Sequence, residues 1–339
     1  MSALHVIDVH PFIYAAQSIP SLASETSRGC PVGGIKLLTR KITNLIKLGD
    51  SVVCCFDSKT MKSAKFPEYK KGRKKVPEVI LQCQALYKFL SSAGVCCLKI
   101  NGLEADDIIY NVVNKSLNDY SQIFIYSSDY DLCHNLMDPK VCLRPATQNS
   151  LCVSFNNFTS VISSIYDCDI PYNMITAYKV FCGDKSDGIK AFVSESGVKG
   201  SQLFRQLVDF SFQNGSLPIN VLRSRGLVSK LSPFLGLSAG DLETIEKRCD
   251  LFFPIEQDIE FFPTNIRSIN MSYYKKFVRA IGDKDSCRAL NCWNESSPEI
   301  EQEVFDFGNS YKSGEFHVDN NLSLEELEIK TSSVFIRGI

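Results

Sequence analysis

Nine acidic side chains within the first 190 residues stand in short groups whose spacing could support metal-dependent chemistry. The set is Asp8, Asp57, Glu104, Asp106, Asp107, Asp129, Asp131, Asp184 and Asp187. Most of these residues follow an apolar, strand-like run or open a helix, so a folded sheet would gather them at one edge. Like charges about 4 Å apart repel by roughly 4 kcal/mol at an effective dielectric constant of 20. A cluster of this kind therefore requires cations.

The acidic groups offer only oxygen atoms as ligands, since the set contains no cysteine or histidine. Such ligands select hard divalent ions, here Mg²⁺, with Mn²⁺ as a substitute. Two such ions about 4 Å apart form a common apparatus for hydrolysing phosphodiesters. The acidic residues therefore predict a nuclease that uses two metal ions.

The elements that must position these residues alternate between strands and helices. Continuous apolar runs at 4–8 and 52–57 each end in an aspartate, which is typical of strands buried on both faces of a parallel sheet. Further strands are expected at 95–100, 123–126 and 151–155, and helices at 33–49, 78–93, 104–113 and 171–181. This alternation predicts an α/β fold with a mostly parallel central sheet flanked by helices.

Composition limits the class of protein. The chain has 339 residues, of which 44% are apolar, and this size indicates roughly two domains. Its formal charge of −1 hides a basic stretch at 62–75. The 14 cysteines form no Cys-x-x-Cys pair, so we expect reduced thiols rather than disulfides or a zinc site. With no signal-peptide pattern and no run of about 18 apolar residues, we expect a cytoplasmic protein without membrane association, in the host cytoplasm if a phage encodes it.

The second half of the sequence has a different character. Helical spacing dominates beyond about residue 190, with candidate helices at 200–212, 241–248 and 272–282, and the chain becomes polar and acidic beyond 294. We therefore expect a nuclease domain at 1–182, a helical region at 183–293 and an acidic, flexible tail at 294–339.

Six blocks that contain all nine acidic residues resemble one known family. They are VIDVHPFIYAA (6–16), CFDSK (55–59), FPEYKKGRKKVP (66–77), GLEADDII (102–109), SSDYDL (127–132) and GDKSDGI (183–189). Their order and spacing resemble the 5'-nuclease superfamily of flap endonucleases and 5'-to-3' exonucleases, in particular its phage and bacterial branch. Residues 261–290, with FFPTNIRS before an aromatic-rich helix, also resemble the later part of the phage RNase H enzymes that remove RNA primers.

The resemblance implies a division of the acidic residues between two Mg²⁺ ions. Asp8, Asp57 and Asp106 would approach the first ion, with Glu104 nearby or acting through water. The second ion would belong to Asp129, Asp131 and Asp184. Asp106 would lie between the two ions, and Asp107 and Asp187 would support them.

The resemblance also assigns roles to basic residues. Lys70 and Arg73, from the Tyr-Lys-x-x-Arg pattern, would act at the scissile phosphate as catalytic residues. An arch or gateway at about 58–93 would carry further cations that attract the nucleic-acid backbone through counterion release. Those nucleic-acid contacts are Lys62, Lys65, Lys71, Lys74 and Lys75, with Lys199 in the later region.

Residues 183–201 resemble the helix-turn-helix-like motif with which the family grips duplex DNA and often holds K⁺ on main-chain carbonyls. Relatives have a Gly-apolar-Gly hairpin before a lysine, whereas this chain has Glu195-Ser196-Gly197 before Lys199. Only the second glycine is retained. The departure leaves a K⁺ site open at this position.

The function that the resemblance implies is structure-specific hydrolysis near a 5' end during replication. Expected substrates are branched or 5'-ended duplex DNA and RNA/DNA hybrids, cleaved by a monomer. The acidic tail could recruit a single-strand-binding protein or a sliding clamp. A PIN-type ribonuclease is an alternative, although such enzymes use about four acids, and a non-catalytic junction-binding protein on the same fold is another.

Overall fold

The centre of the molecule is a mixed sheet of six strands. The computed structural model describes residues 2–24, 26–27, 30–72, 76–145, 152–161, 170, 174–214, 235–265 and 268–290. Within these ranges the strands are β1 (Ala3–Asp8), β2 (Thr26–Ser27), β3 (Cys30–Pro31), β4 (Ser51–Cys55), β5 (Cys96–Leu98), β6 (Gln122–Tyr126), β7 (Val141–Arg144) and β8 (Val153–Ser154). The large sheet has the order β5-β4-β1-β6-β7-β8, and β2 pairs with β3 in a separate ribbon.

Parallel pairing places the carboxyl ends of the central strands at one edge. Strand β1 pairs in parallel with β4 on one side and with β6 on the other, so that Asp8 lies opposite Cys55 and Ile7 opposite Tyr126. Strands β5 and β7 continue the parallel arrangement, and only β8 runs antiparallel to its neighbour. The predicted mostly parallel α/β sheet is therefore confirmed. The segments that follow β1, β4 and β6 leave from the same edge.

Helices cover both faces of this sheet. They are α1 (Val9–Gln17), α2 (Pro20–Ala23), α3 (Gly33–Leu48), α4 (Lys62–Lys65), α5 (Pro77–Ser92), α6 (Ala105–Ser116), α7 (Ile175–Cys182), α8 (Gly200–Asn214), α9 (Ala239–Phe252), α10 (Met271–Ala280) and α11 (Lys284–Ala289). A 3₁₀ helix spans Tyr130–Asn135. Helix α3 ends where Gly49 adopts the left-handed conformation, with φ of 81°.

Two apolar clusters account for most of the core. Helices α1, α3, α5 and α10 share one cluster with the β1 and β4 side chains that point toward them, among them Ile7 and Val52. Helices α6, α7, α8 and α9 share the other cluster with Val6 and Ile125 on the opposite face. Because both faces of the central strands are buried, the continuous apolar runs that mark them in the sequence are explained.

The segment that follows α9 returns to the first half of the chain. Thr264 forms an antiparallel bridge with Val52, and the ring of Phe277 in α10 stacks on Phe89 in α5 with centroids 4.7 Å apart. After α10, the buried carboxylate of Asp283 accepts a 2.8 Å hydrogen bond from Nε of Arg40 in α3. Residues 264–265 and 268–283 therefore belong to the same core as the sheet.

Some elements differ from their expected bounds. Strands β5 and β8 are shorter than the sequence pattern indicated, and the described helix near 171–181 begins at Ile175. Strand β7 was not anticipated, because its four residues carry only a brief alternation of buried and half-buried positions. The tail expected at 294–339 lies outside the described residues, and no helix within them is long and apolar enough to cross a membrane.

Candidate active site

Asp8 lies at the end of β1, on the sheet edge where the nine predicted acids are found (the acidic edge). Its buried carboxylate accepts a 2.8 Å hydrogen bond from the hydroxyl of Ser127, which follows β6. Asp57 lies two residues beyond β4, where its carboxylate accepts a 2.8 Å bond from the backbone N–H of Ala105 at the start of α6. Burial, followed by the nearby charge of Asp57, raises the pKa of Asp8 well above its ordinary value. The sheet thus brings Asp8 and Asp57 together at its carboxyl edge.

The N-terminus of α6 supplies three clustered carboxyl groups. Glu104 is the N-cap, and it forms a capping box with Asp107 in which each side chain accepts a bond from the other's backbone N–H. Ligand oxygens of Glu104, Asp106 and Asp107 lie within 4.8 Å of one another. Although burial alone would raise the pKa of Asp106, the ammonium groups of Lys62 and Lys70 hold that pKa below its ordinary value. Asp106 is therefore an available anion.

Asp107 has a structural part within this group. It is fully buried, its Oδ1 lies 3.0 Å from Nζ of Lys62, and the same oxygen accepts a 2.9 Å bond from the backbone N–H of Ile255. A carboxylate that caps a helix, pairs with an ammonium and holds a distant loop cannot also face open solvent. Asp107 therefore joins α6 to the segment after α9.

Replacing Asp107 with alanine is expected to lower the free energy of unfolding by about 3 kcal/mol, because breaking a buried ion pair leaves the other charge uncompensated. Denaturant unfolding in EDTA measures this loss without any contribution from bound metal. Asp258→Ala is the matched control, since its 2.7 Å pair with Lys115 is exposed and should change stability by less than about 1 kcal/mol. Equal effects of the two substitutions would show that Asp107 has no special structural role.

Lys70 reaches the same acidic group from the predicted basic stretch. Its Nζ lies 2.5 Å from Oε1 of Glu104, whose other oxygen accepts a 2.8 Å bond from the hydroxyl of Tyr69. The backbone of Lys70 has φ of 56°, in the left-handed region, and its N–H donates to the carbonyl oxygen of Asp187. A non-glycine residue in this region is strained. The fold therefore holds Lys70 against the carboxylates at a conformational cost.

A second acidic group lies beyond β6. Asp129 caps the 3₁₀ helix by accepting a 2.9 Å bond from the backbone N–H of Asp131. Lys179, from the buried side of α7, bridges the carboxylates of Asp131 and Asp184. Burial, together with the charge of Asp129, raises the pKa of Asp131 to about 8. Lys179 and the bonds from Ser186 hold the pKa of Asp184 below its ordinary value, against the effect of burial.

The two acidic groups line connected depressions. Asp106, Asp129, Asp131 and the buried Asp187 line one pocket together with the three lysines that contact the carboxylates, Lys62, Lys70 and Lys179. Asp129 and Asp131 also line a neighbouring pocket that includes Asp184. The structure therefore places the nine predicted acids along one edge, and among the described residues the three at 104–107 form the tightest group.

The basic residues expected to meet nucleic acid have diverse positions. Lys71 and Lys199 are exposed, and Lys65 is exposed with its Nζ 3.7 Å from Asp250. The placement expected for Lys62 is corrected: only 4% of it is exposed, because its ammonium is drawn inward to Glu104 and Asp107. The remaining residues, Arg73, Lys74 and Lys75, lie outside the described residues.

Three residues at the site went unrecognised in the sequence. Lys179 lies within an apolar helix, Tyr69 precedes Lys70, and Ser127 follows β6; all three hydrogen-bond the predicted acids. The position of Ser127 directly after a strand was a usable signal. Lys179 offered a weaker one, a lone lysine among apolar residues at 174–181.

The region with the altered glycine pattern still forms a hairpin. Val193 bridges Lys199, the N–H of Ser194 donates to the carbonyl oxygen of Val198, and Gly197 has φ of 84°. The N–H of Glu195 donates to Asp241, which belongs to the capping box that begins α9. The retained glycine therefore stands where a left-handed conformation is required.

The donor set fits divalent metal ions. Burial, followed by the charge of Asp57, raises the pKa of Asp8 well above its ordinary range. The positive charge around Asp8 is therefore too small to compensate its carboxylate. Among the other carboxylates, the ammonium groups of three lysines supply the compensating positive charge. Oxygen ligands of this type suit hard ions such as Mg²⁺ and Mn²⁺.

The fold and acidic edge agree with a sequence comparison. Residues 3–160 match the model of the 5'-3' exonuclease N-terminal, resolvase-like domain. This match covers the sheet and every predicted acid except Asp184 and Asp187. Over this span, a little under half of the chain, the sequence is similar to the N-terminal domain of 5'-3' exonucleases.

Curated relatives point the same way. The chain is 30% identical over 151 residues to a 5'-3' exonuclease of Aquifex aeolicus, an alignment that covers 43% of this chain and 52% of the relative. It is 27% identical over 264 residues to DNA polymerase I of Helicobacter pylori strain ATCC 700392 / 26695, covering 73% of this chain and 27% of that one. The chain thus spans about half or less of the length of these relatives.

A solved structure shares the fold. The flap endonuclease of bacteriophage T5, solved as a pseudo-enzyme–product complex with DNA and metal ions, superposes with a TM-score of 0.51. The match covers 91% of this chain and 99% of that one at 13% identity. At this identity the likeness concerns the fold alone.

Proposed function

We propose that this protein is a structure-specific 5'-nuclease that hydrolyses phosphodiesters at duplex junctions with a 5' end. Its substrates are DNA flaps and RNA primers paired to DNA, as processed in replication in the cytoplasm. The observation that carries the proposal is the convergence of nine family-pattern acids on one sheet edge, with the Lys70 ammonium held against Glu104. Relatives named as 5'-3' exonucleases support the same reaction class.

Two groups of residues would hold Mg²⁺ ions in this proposal. Asp8, Asp57, Glu104 and Asp106 form the first, and the second consists of Asp129, Asp131 and Asp184. Bound Mg²⁺ would polarise the phosphate and lower the pKa of water, as metal ions do in two-metal hydrolases. Asp107 and Asp187 support the two groups from buried positions.

The chain's own residues position the substrate. Lys70 offers a mobile ammonium at the acidic edge, from which it can contact a nonbridging phosphate oxygen, and Arg73 belongs to the same basic stretch. The exposed Lys65 and Lys71 attract the backbone without reading bases, so that specificity follows the shape of the junction. Lys199, which is exposed in the hairpin, would contact the duplex.

The decisive experiment incubates the protein with a labelled 5'-flap duplex in Mg²⁺ and in EDTA. Cleavage should be at least about 100-fold faster in Mg²⁺, with a 5'-phosphate and a 3'-hydroxyl on the products. A primer of RNA paired to DNA should also be cut. Single-stranded RNA without a junction serves as the discriminating substrate.

Each other outcome favours a named alternative. Preferential cleavage of single-stranded RNA would indicate a PIN-type ribonuclease. Tight junction binding without cleavage in either Mg²⁺ or Mn²⁺ would indicate a non-catalytic binding protein. The matched family domain and the acids of the 183–189 block favour the nuclease.

A further inference from the structure

A layer of aromatic rings lies on the sheet face that carries α3. His5 of β1 stacks on Phe124 and Tyr126 of β6, with ring centroids 5.2 Å and 5.7 Å away. His5 and Tyr126 are buried, whereas Phe124 is only partly covered. The face of β6 and β7 is thus incompletely shielded on this side.

Two cations lie over these rings. Nζ of Lys41, from α3, is 4.0 Å from the centroid of Tyr126, and the guanidinium carbon of Arg144, at the end of β7, is 3.9 Å from the centroid of Phe124. Both side chains are half-buried. Burial, followed by the neighbouring charge of Arg144, lowers the pKa of Lys41. Two cations are therefore held close together here, at a cost to the charged form of Lys41.

The two cations outnumber the carboxylate that lies near them. Asp50 is the nearby carboxylate, but its oxygens accept bonds from His5 at 3.0 Å and from the backbone N–H of Ala3 at 3.2 Å. Across the described parts of the chain, no carboxylate forms an ion pair with Lys41 or Arg144. The remaining titratable groups nearby are the ring of Tyr126 and the thiols of Cys142 and Cys152. An anion from outside would complete the cluster.

The cation pair adjoins the acidic edge without belonging to it. The carbonyl oxygen of Arg144 accepts a 3.0 Å bond from the N–H of Ser127, and the hydroxyl of Ser127 donates to Asp8. One residue therefore connects the end of β7 to the carboxylates. A nucleic-acid strand that leaves the acidic edge on the side of β7 would meet Arg144.

We propose that Lys41 and Arg144 form a phosphate-binding site that holds the nucleic-acid backbone beside the cleavage site. The inference rests on the proposed function for its ligand class. A planar guanidinium and an ammonium match phosphate oxygens, and the rings behind them stabilise both cations through cation–π contacts. Because contacts to phosphate oxygens carry no information about the base, the site holds the backbone without regard to sequence.

The test compares Lys41→Gln plus Arg144→Gln with the wild-type chain in binding a 5'-flap duplex in EDTA over a series of salt concentrations. The double variant should bind about tenfold more weakly at low salt, and its slope of log affinity against log salt should fall by about two. Lys47→Gln plus Lys88→Gln is the matched control, because it removes two exposed cations from α3 and α5. Its slope should stay near the wild-type value.

Charge-preserving variants keep the test independent of folding. Lys41→Arg and Arg144→Lys should retain the wild-type slope, and thermal unfolding of every variant is measured beside binding. If the neutral double variant unfolds, Arg144→Gln alone should lower the slope by about one. An unchanged slope in a folded neutral variant would overturn the proposed phosphate site. The same result is expected if the true occupant is an acidic peptide.

Wild-type cleavage of the same flap is measured in Mg²⁺ to separate this inference from the function beneath it. Cleavage with an unchanged slope in the neutral variant refutes the phosphate site alone. No cleavage, together with a reduced slope, refutes the nuclease and leaves the phosphate site standing.

Discussion

Replacing Asp129 and Asp131 together with alanine is expected to reduce flap cleavage in Mg²⁺ by at least about 1,000-fold, since loss of metal-borne stabilisation costs several kcal/mol. Both side chains line the two neighbouring pockets of the acidic edge. Their removal leaves Asp184 as the one carboxylate of the proposed second metal group. Single-turnover rates on a labelled 5'-flap measure the effect. Duplex binding in EDTA should persist, because the exposed cations remain.

The control for this pair removes the same charge elsewhere. Asp119→Ala plus Asp258→Ala deletes two exposed acids, and its cleavage rate should stay within about twofold of the wild type, as distant surface substitutions usually have small effects. If the 129/131 variant stays folded and cleaves within tenfold of the wild type, the second acidic group has no catalytic part.

Lys70→Met is expected to slow cleavage by about 100-fold or more, the range found when one stabilising donor is removed from a reacting centre. Methionine keeps the unbranched stem and a β-carbon, so the left-handed backbone at this residue is strained to the same degree. The lost feature is the ammonium that contacts Glu104. The rate at saturating substrate should fall more than the affinity for the duplex.

Lys71→Met tests whether position matters within the basic stretch. Lys71 is an exposed neighbour of Lys70, and its loss should weaken binding at low salt with little change in the saturated rate. Similar losses of saturated rate in both variants would contradict a specific role for Lys70. A fall in affinity alone for Lys70→Met would make it a backbone contact.

The acidic edge could be predicted from sequence because each acid is marked by the few residues that precede or follow it. An aspartate that ends an apolar run lies at the carboxyl end of a strand, and parallel pairing then aligns these ends without further information. Asp8 and Asp57 follow this rule, and the acids around α6 follow from the capping pattern at Glu104 and Asp107. These patterns arise within a few residues, where spacing alone carries the signal.

Contacts between distant segments could not be read in the same way. Lys62 belongs to a basic stretch in the sequence, but α4 turns its side chain toward acids more than 40 residues later. Lys179 reaches back to Asp131 across 48 residues. Periodicity reports which face of an element is buried, and it contains no information about the partner that faces it. The residue that faces a lysine or arginine decides whether the side chain is available to a ligand or stabilises the fold.

The packing of α10 onto the early helices α3 and α5 has a consequence for synthesis of the chain. Helices α3 and α5 emerge from the ribosome long before Tyr274 and Phe277, which complete the apolar cluster between them. Until then the nascent chain must carry that surface uncovered, in a state prone to association. The apolar cluster of the first half is therefore completed only after Tyr274 and Phe277 have been made.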